Sequence, residues 1–151
     1  MWSPFRLALG LARPRQASAP LGARGESLAI RTLKRKGYKL LGRNLRVPGG
    51  EWGGEADAFF LAPDRTTLVL VEVKTRIIRA GHSTPFAPGE AAVDADKLKR
   101  LRAILRHLQR ANHWTTRPSR IDVVAIDWPE AAPGSPQPKP IVRHHEGIDR
   151  R

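Results

Sequence analysis

Apolar residues recur along this chain with two different periods. Between residues 21 and 36, Leu28, Ala29 and Leu33 fall at helical spacing among good helix formers, and Gly37 follows. That pattern predicts a helix with a glycine end signal. Residues 94–110 place Leu98, Leu101, Leu105 and Leu108 on one face, which predicts a second, amphipathic helix whose other face is basic. Shorter apolar runs predict strands at 38–47, 55–61, 66–75 and 120–127, and "PIVRHHE" at 140–146 reads as a last edge strand. "PGGEWGG" at 48–54 is a glycine-rich connector, and "PEAAPGSPQPKP" at 129–140 is a linker without core-forming capacity. The order helix, three strands, helix, strand predicts a single α/β domain over 21–128. A flexible basic arm is expected at 1–20 and a proline-rich linker and tail at 129–151. A chain of 151 residues is long enough to bury a core of its own.

Charges break the apolar pattern in one place. "EADAFFLAPDRTTLVLVEVKTR" at 55–76 is a pair of strands interrupted by Asp57, Glu72 and Lys74. A charge in a buried strand costs several kcal/mol unless it is paired or binds a metal. With a turn at Asp64-Arg65, or a longer loop of the same parity, Leu61 faces Leu68 and Phe59 faces Leu70. Asp57 then faces Glu72, Glu55 faces Lys74, and all of them share one side of the sheet. Facing carboxylates have Cβ atoms about 5 Å apart. They repel and share a proton unless a cation lies between them. A hard divalent cation, Mg²⁺ or Mn²⁺, suits that gap. Lys74, two residues on, is placed to polarise a water or to stabilise phosphoryl charge. The competing reading is an exposed ladder of ion pairs, Glu55 with Lys74 and Asp57 with Arg76.

Net charge brings in a partner. Lysine and arginine number 27 against 14 acids, for a formal charge of +13. A domain this basic is expected to meet a polyanion, nucleic acid first and an anionic membrane surface second, unless its basic face is merely solvated. Up to residue 50 the only acid is Glu26, and 97–121 carry none. Lys97, Arg100, Arg102 and Arg106 lie in that second stretch. There are no cysteines, which excludes disulfides and thiolate metal sites. No apolar run reaches the roughly 18 residues of a membrane-spanning helix, and the N-terminus lacks the form of a secretory signal. A cytoplasmic location is expected. The five histidines show no zinc-ligand spacing, no serine sits in a nucleophile elbow, and no phosphate-binding glycine loop is present. Trp52 and Trp114 read either as base-stacking residues or as half-buried core-edge side chains.

Asp57 followed by Glu72-Val73-Lys74 resembles the D…(D/E)xK signature of restriction-endonuclease-like nucleases. "GARGESLAIRTLKRKGYKLLGRNLR", "GGEADAFF", "LVLVEVKTR", "AVDADKLKRLRAILRHL" and "RIDVVAI" together resemble the YraN-like uncharacterised protein family, over roughly residues 21–127. The resemblance implies a restriction-endonuclease-like α/β core, a mixed sheet between helices. It implies metal binding by Asp57 and Glu72 with Glu26 in or near the metal shell, and water activation by Lys74. It implies Mg²⁺-dependent hydrolysis of phosphodiester bonds in nucleic acid, DNA ahead of RNA and branched or damaged DNA among the candidates. The alternative is a nucleic-acid-binding module that keeps the fold without turnover. Lys97, Arg100, Arg102, Arg106 and Arg76 are the expected nucleic-acid contacts; no membrane partner is expected, and a homodimer is a further expectation. The chain departs from the family pattern where Ala56, Ala58 and Phe59-Phe60 replace large aliphatics. It departs again in a second "GGE" copy and in the extended loop "IIRAGHSTPFAPGEAA".

Overall fold

A computed structural model describes residues 20–48, 54–79 and 93–150. The basic arm, Trp52, the first "GGE" copy and most of the extended loop lie outside the described residues.

The first helical pattern forms α1, Pro20–Arg35. It ends where the sequence puts glycine: Gly37 takes φ of +90°, its N–H reaches Lys34 O at 3.0 Å, and Tyr38 N–H reaches Leu33 O at 3.1 Å. Those bonds satisfy carbonyls that the helix end would leave unpaired. The second pattern forms α2, Ala95–Ala111, opened by Asp94, whose side chain accepts from Lys97 N–H at 2.8 Å. Five strands follow among the described residues: β1 (Lys39–Val47), β2 (Gly54–Leu61), β3 (Leu68–Ile78), β4 (Ser119–Pro129) and β5 (Ile141–His145), with a 3₁₀ turn at Ile148–Arg150 after the last. No helix among the described residues is long and apolar enough to cross a membrane.

The strands make one mixed sheet in the order β1-β2-β3-β4-β5. All neighbours are antiparallel except β3 and β4, which run parallel from Leu68 opposite Ser119 to Ile78 opposite Pro129. A parallel pair needs a long crossover, and α2 supplies it. The two helices cover opposite faces. Leu101, Ile104, Leu105 and Leu108 of α2 pack on Leu45, Phe59, Leu61, Leu70 and Ile121. Ala29, Ile30 and Leu33 of α1 pack on Phe60, Val69, Val71, Val124 and Ile126. The fold is therefore the α/β class the pattern predicts, a mixed sheet between helices.

Two details differ from the plain strand pattern. β1 carries a register shift between Leu40 and Gly42 that leaves Leu41 as an extra residue; Leu40 packs on the α1 side and Leu41 on the α2 side. A bulge of this kind re-aims successive side chains. At the other edge β5 is stitched in by a buried polar network. Asp122, fully buried, accepts from Arg120 Nε at 2.9 Å, His144 Nε2 at 2.9 Å and Gly147 N–H at 2.9 Å. Burial opposes ionisation of Asp122, but the hydrogen bonds from His144 and Arg120 outweigh it and hold the carboxyl below its usual range. Tyr38, just past α1, accepts from Arg120 Nη2 at 2.8 Å and donates to Glu146 at 2.8 Å.

Burial, and then the hydrogen bond to Glu146, push the Tyr38 hydroxyl from 10.0 up to about 12. The folded state thus favours the protonated phenol, and that stabilisation is present below pH 10.0 and lost as pH rises through about 12. Tyr38→Phe should cost about 1–2 kcal/mol at neutral pH through the lost hydrogen bonds. The gap between wild type and variant should shrink between pH 10.0 and about 12. Urea denaturation of both proteins across that range checks it; a gap that stays constant removes Tyr38 from the alkaline loss.

Candidate functional site

The hairpin between β2 and β3 has the expected register. Leu61 faces Leu68, Phe59 faces Leu70, and Ala58 faces Val71. The loop is longer than two residues, with the same parity: Ala62 N–H bonds Thr67 O at 2.9 Å across Pro63, Asp64, Arg65 and Thr66. Asp64 organises it by accepting from the N–H groups of Thr66 and Thr67 and from the Thr67 hydroxyl, and these bonds depress its carboxyl well below the usual range.

The ladder between β2 and β3 then stops. Its last pair is Ala58 with Val71, so Asp57 with Glu72 and Glu55 with Lys74 are not ladder partners. β2 stays with β1 out to Gly54 opposite Val47, while β3 stays with β4 to Ile78. The strands part at the charged residues. Asp57 reaches across the opening, and its Oδ2 accepts from Val73 N–H at 2.7 Å. From the far side Lys97, in the first turn of α2, places Nζ 3.1 Å from Glu72 Oε2 and 3.4 Å from Glu55 O. Gly54 lets α2 come this close, since a Cβ there would stand 3.2 Å from Ile104 Cδ1. Of the residues in the competing ion-pair ladder, Glu55 pairs with Arg46 of β1, and Arg76 pairs with Asp127.

Asp57 is buried at 7% exposure and the Glu72 side chain is 16% exposed. Glu26 is buried on α1. It follows Gly25, at which any Cβ would fall 2.0 Å from Thr75 Oγ1, so this turn of α1 lies directly on β3, on the face opposite to Glu72 and Lys74. Lys74 is half-buried, two residues beyond Glu72 on the same side of the strand. Two carboxylates at one opening form an oxygen donor set that suits Mg²⁺, which takes one or two carboxylates and fills its shell with water. No group of three or more His, Asp or Glu side chains among the described residues is arranged to hold a metal ion, so Glu26 does not complete a three-carboxylate cluster.

The basic residues divide. Arg100 and Arg106 are exposed on α2. Arg102 donates to Asp149 O at 2.8 Å, and Lys97 is taken up with Glu72. Arg76, one-third exposed, donates through Nε to Asp127 Oδ1 at 2.6 Å. Register brings a further cation to the same face: Lys74 lies opposite Ala125, which lies opposite Arg143. Arg143 also pairs with Asp127, which is 1% exposed. Two guanidiniums share one buried carboxylate, so the cluster keeps one net positive charge beside Lys74. Sequence reasoning missed Arg143 and Asp127. Their signal was an acid ending the apolar run "VVAID" together with a basic residue in the last strand.

A family profile described as uncharacterised protein family UPF0102 matches residues 25–126. The chain belongs to this family. A UPF0102 protein of Pelobacter propionicus is 40% identical over 106 residues, covering 70% of this chain and 69% of its own. One of Renibacterium salmoninarum is 36% identical over 129 residues, covering 85% of this chain and 94% of its own. One of Beutenbergia cavernae is 41% identical over 112 residues, covering 74% and 85%. The UPF0102 match contains Glu26, Asp57, Glu72, Lys74 and α2, and ends one residue before Asp127.

Because Asp57 satisfies a backbone donor, its removal has a structural cost that mutual repulsion with Glu72 does not offset. Asp57→Ala should lose about 1–3 kcal/mol by leaving Val73 N–H unpaired. Asp57→Asn, which keeps an acceptor oxygen, should stay within about 1 kcal/mol of wild type. Denaturant midpoints for the two variants decide it, and equal midpoints would mean that the bond to Val73 contributes nothing.

Proposed function

We propose that this UPF0102 protein is a divalent-metal-dependent endonuclease that hydrolyses phosphodiester bonds in nucleic acid, with DNA as the first substrate. The observation that carries the reading is the opening between β2 and β3, where Asp57 and Glu72 stand with Lys74 beside them on a strongly basic chain. Asp57 and Glu72 would hold Mg²⁺ or Mn²⁺, with Glu26 contacting its water shell. Bound there, the ion supplies Lewis-acid stabilisation of phosphoryl charge and lowers the pKa of a water.

The chain's own groups do the rest. Val73 N–H fixes the Asp57 carboxylate in orientation, so it need not reorganise on binding. Lys97 screens Glu72 and joins the carboxylate opening to the basic face of α2. Arg100 and Arg106 take phosphates along that face. Lys74, with the Arg76–Arg143 cluster behind it, meets charge that develops on the scissile phosphate.

A second reading, a binding module without turnover, draws support from the Glu72–Lys97 ion pair, which already neutralises one proposed ligand. Kinetics separate the two. Lys74→Ala should retain DNA and Mn²⁺ affinity while single-turnover cleavage falls by about 10²–10³. No cleavage by wild type on linear, flapped and four-way DNAs with either cation would establish the binding module instead.

Duplex binding should weaken steeply with salt under either reading. Arg100→Ala with Arg106→Ala should flatten the slope of log K against log salt by about 0.9 for each phosphate no longer neutralised. Fluorescence anisotropy from low to moderate salt measures it, and an unchanged slope takes this helix face out of the interface.

A further inference from the structure

A cleft of about 580 Å³ lies on the α1 side of the sheet, away from α2 and the Glu72–Lys97 pair. Arg24, Ser27, Ile30 and Arg31 of α1 line it, with Arg43 of β1 and Trp128 of β4. Residues 24, 27 and 31 recur at three- and four-residue spacing, so they form one stripe along the helix. The size is that of a small-molecule pocket. Its chemistry is unusual for an ordinary surface: three guanidiniums and one indole, with no carboxylate among the described lining residues. The Arg24 guanidinium lies over the Trp128 ring, 4.4 Å from its centroid. Ile30 belongs to the core cluster on this face and Trp128 packs against that cluster, so the floor is fixed while the arginines are exposed.

We propose that this cleft binds one nucleotide unit, an unpaired base with its phosphate. Indole and guanidinium planes are the surfaces on which unpaired bases stack. Arg31 and Arg43 offer planar forks that match phosphate oxygens, and an anion between them relieves their mutual repulsion. A base in duplex has both faces covered, so the ligand is either a free nucleotide or an unpaired strand. A simple carboxylate or inorganic phosphate would use the arginines and leave the indole unused. Binding of this kind needs neither the metal nor turnover, and it is independent of the nuclease reading.

The test is calorimetric titration of the full chain in EDTA with 5′-deoxyadenosine monophosphate, hexadeoxyadenylate and inorganic phosphate. Nucleotide binding should exceed phosphate binding by about tenfold or more. Arg31→Gln with Arg43→Gln, at exposed positions, should weaken nucleotide binding about tenfold. Trp128→Leu should weaken it roughly fivefold or more. Arg35→Gln with Lys36→Gln removes the same charge at the far end of α1 and should change affinity by no more than about twofold. Asp57→Asn should bind as wild type does. Binding of the monophosphate alone assigns the free nucleotide as the ligand, and binding of the hexanucleotide as well assigns the unpaired strand. The proposal is overturned if neither nucleotide binds, or if phosphate binds as tightly as the monophosphate. It is overturned too if the Arg35/Lys36 or Asp57 variant loses as much affinity as the cleft variants.

Discussion

The parallel pairing of β3 with β4 is the constraint on which the rest depends. It holds β3 along its whole length, from Leu68 to Ile78. β2 can therefore leave at Ala58 and follow β1 without β3 fraying. The departure frees backbone donors on one edge of β3, in a region too enclosed to leave them unpaired. Asp57 answers that need through Val73 N–H. A buried N–H and a buried carboxylate would each be costly alone, and together they satisfy one another. The opening and the carboxylate that stands in it have one cause.

Four acids in or beside the sheet meet the cost of burial in different ways. Asp122 takes Arg120, His144 and the Gly147 N–H. Asp127 takes Arg76 and Arg143, Asp57 a backbone N–H, and Glu72 the Lys97 ammonium. Removing one partner of a buried ion pair typically costs about 3–5 kcal/mol, so the pairs of Asp122 and Asp127 in particular tie elements together. The four acids are not equally available for chemistry. Asp122 is fully enclosed by its donors, so no substrate atom reaches it, and its work is to hold β5 and the 146–147 turn. Glu72 keeps 16% of its side-chain surface exposed beside a half-buried lysine. Exposure and the neighbouring cation, more than acidity, single out Glu72 with Lys74, and Asp57, itself buried, stands at the same opening.

Element order and the β2–β3 register were legible because each rests on local rules. Helical spacing at Leu101, Leu105 and Leu108, glycine after α1, and alternation around the Pro63–Thr66 turn act over a few residues. The bulge at Leu41 was not legible, since "KLLGRNL" alternates poorly on either reading, and only packing on both sheet faces decides it. Nor was the parting of β2 from β3. Asp57 facing Glu72 is the natural extension of a regular hairpin, but β2 follows β1 away from β3, and α2 brings Lys97 to Glu72 from a distant part of the sequence. The roles of Asp122, Asp127, Arg143 and His144 depend on β5 joining β4, a pairing across the proline-rich segment that no local pattern encodes. The candidate site was thus readable as a set of residues and not as a geometry.

Charge placement follows from the same architecture. Several of the 14 acids are drawn inward: Glu26, Asp57, Asp122 and Asp127 are buried. The arginines of α1 and α2 stay outside, so the surface around the sheet is more uniformly cationic than the composition alone conveys. Such a field raises encounter rates with polyanions and is screened within about 10 Å at moderate salt. Because it is spread over both helix faces, it does not by itself select a contact point. Selection falls to places where cations meet something more specific: the carboxylates in the β2–β3 opening on one face, and the Trp128 indole under Arg24 on the other. A strand held at the second while its neighbour enters the first would have to pass around the sheet edge.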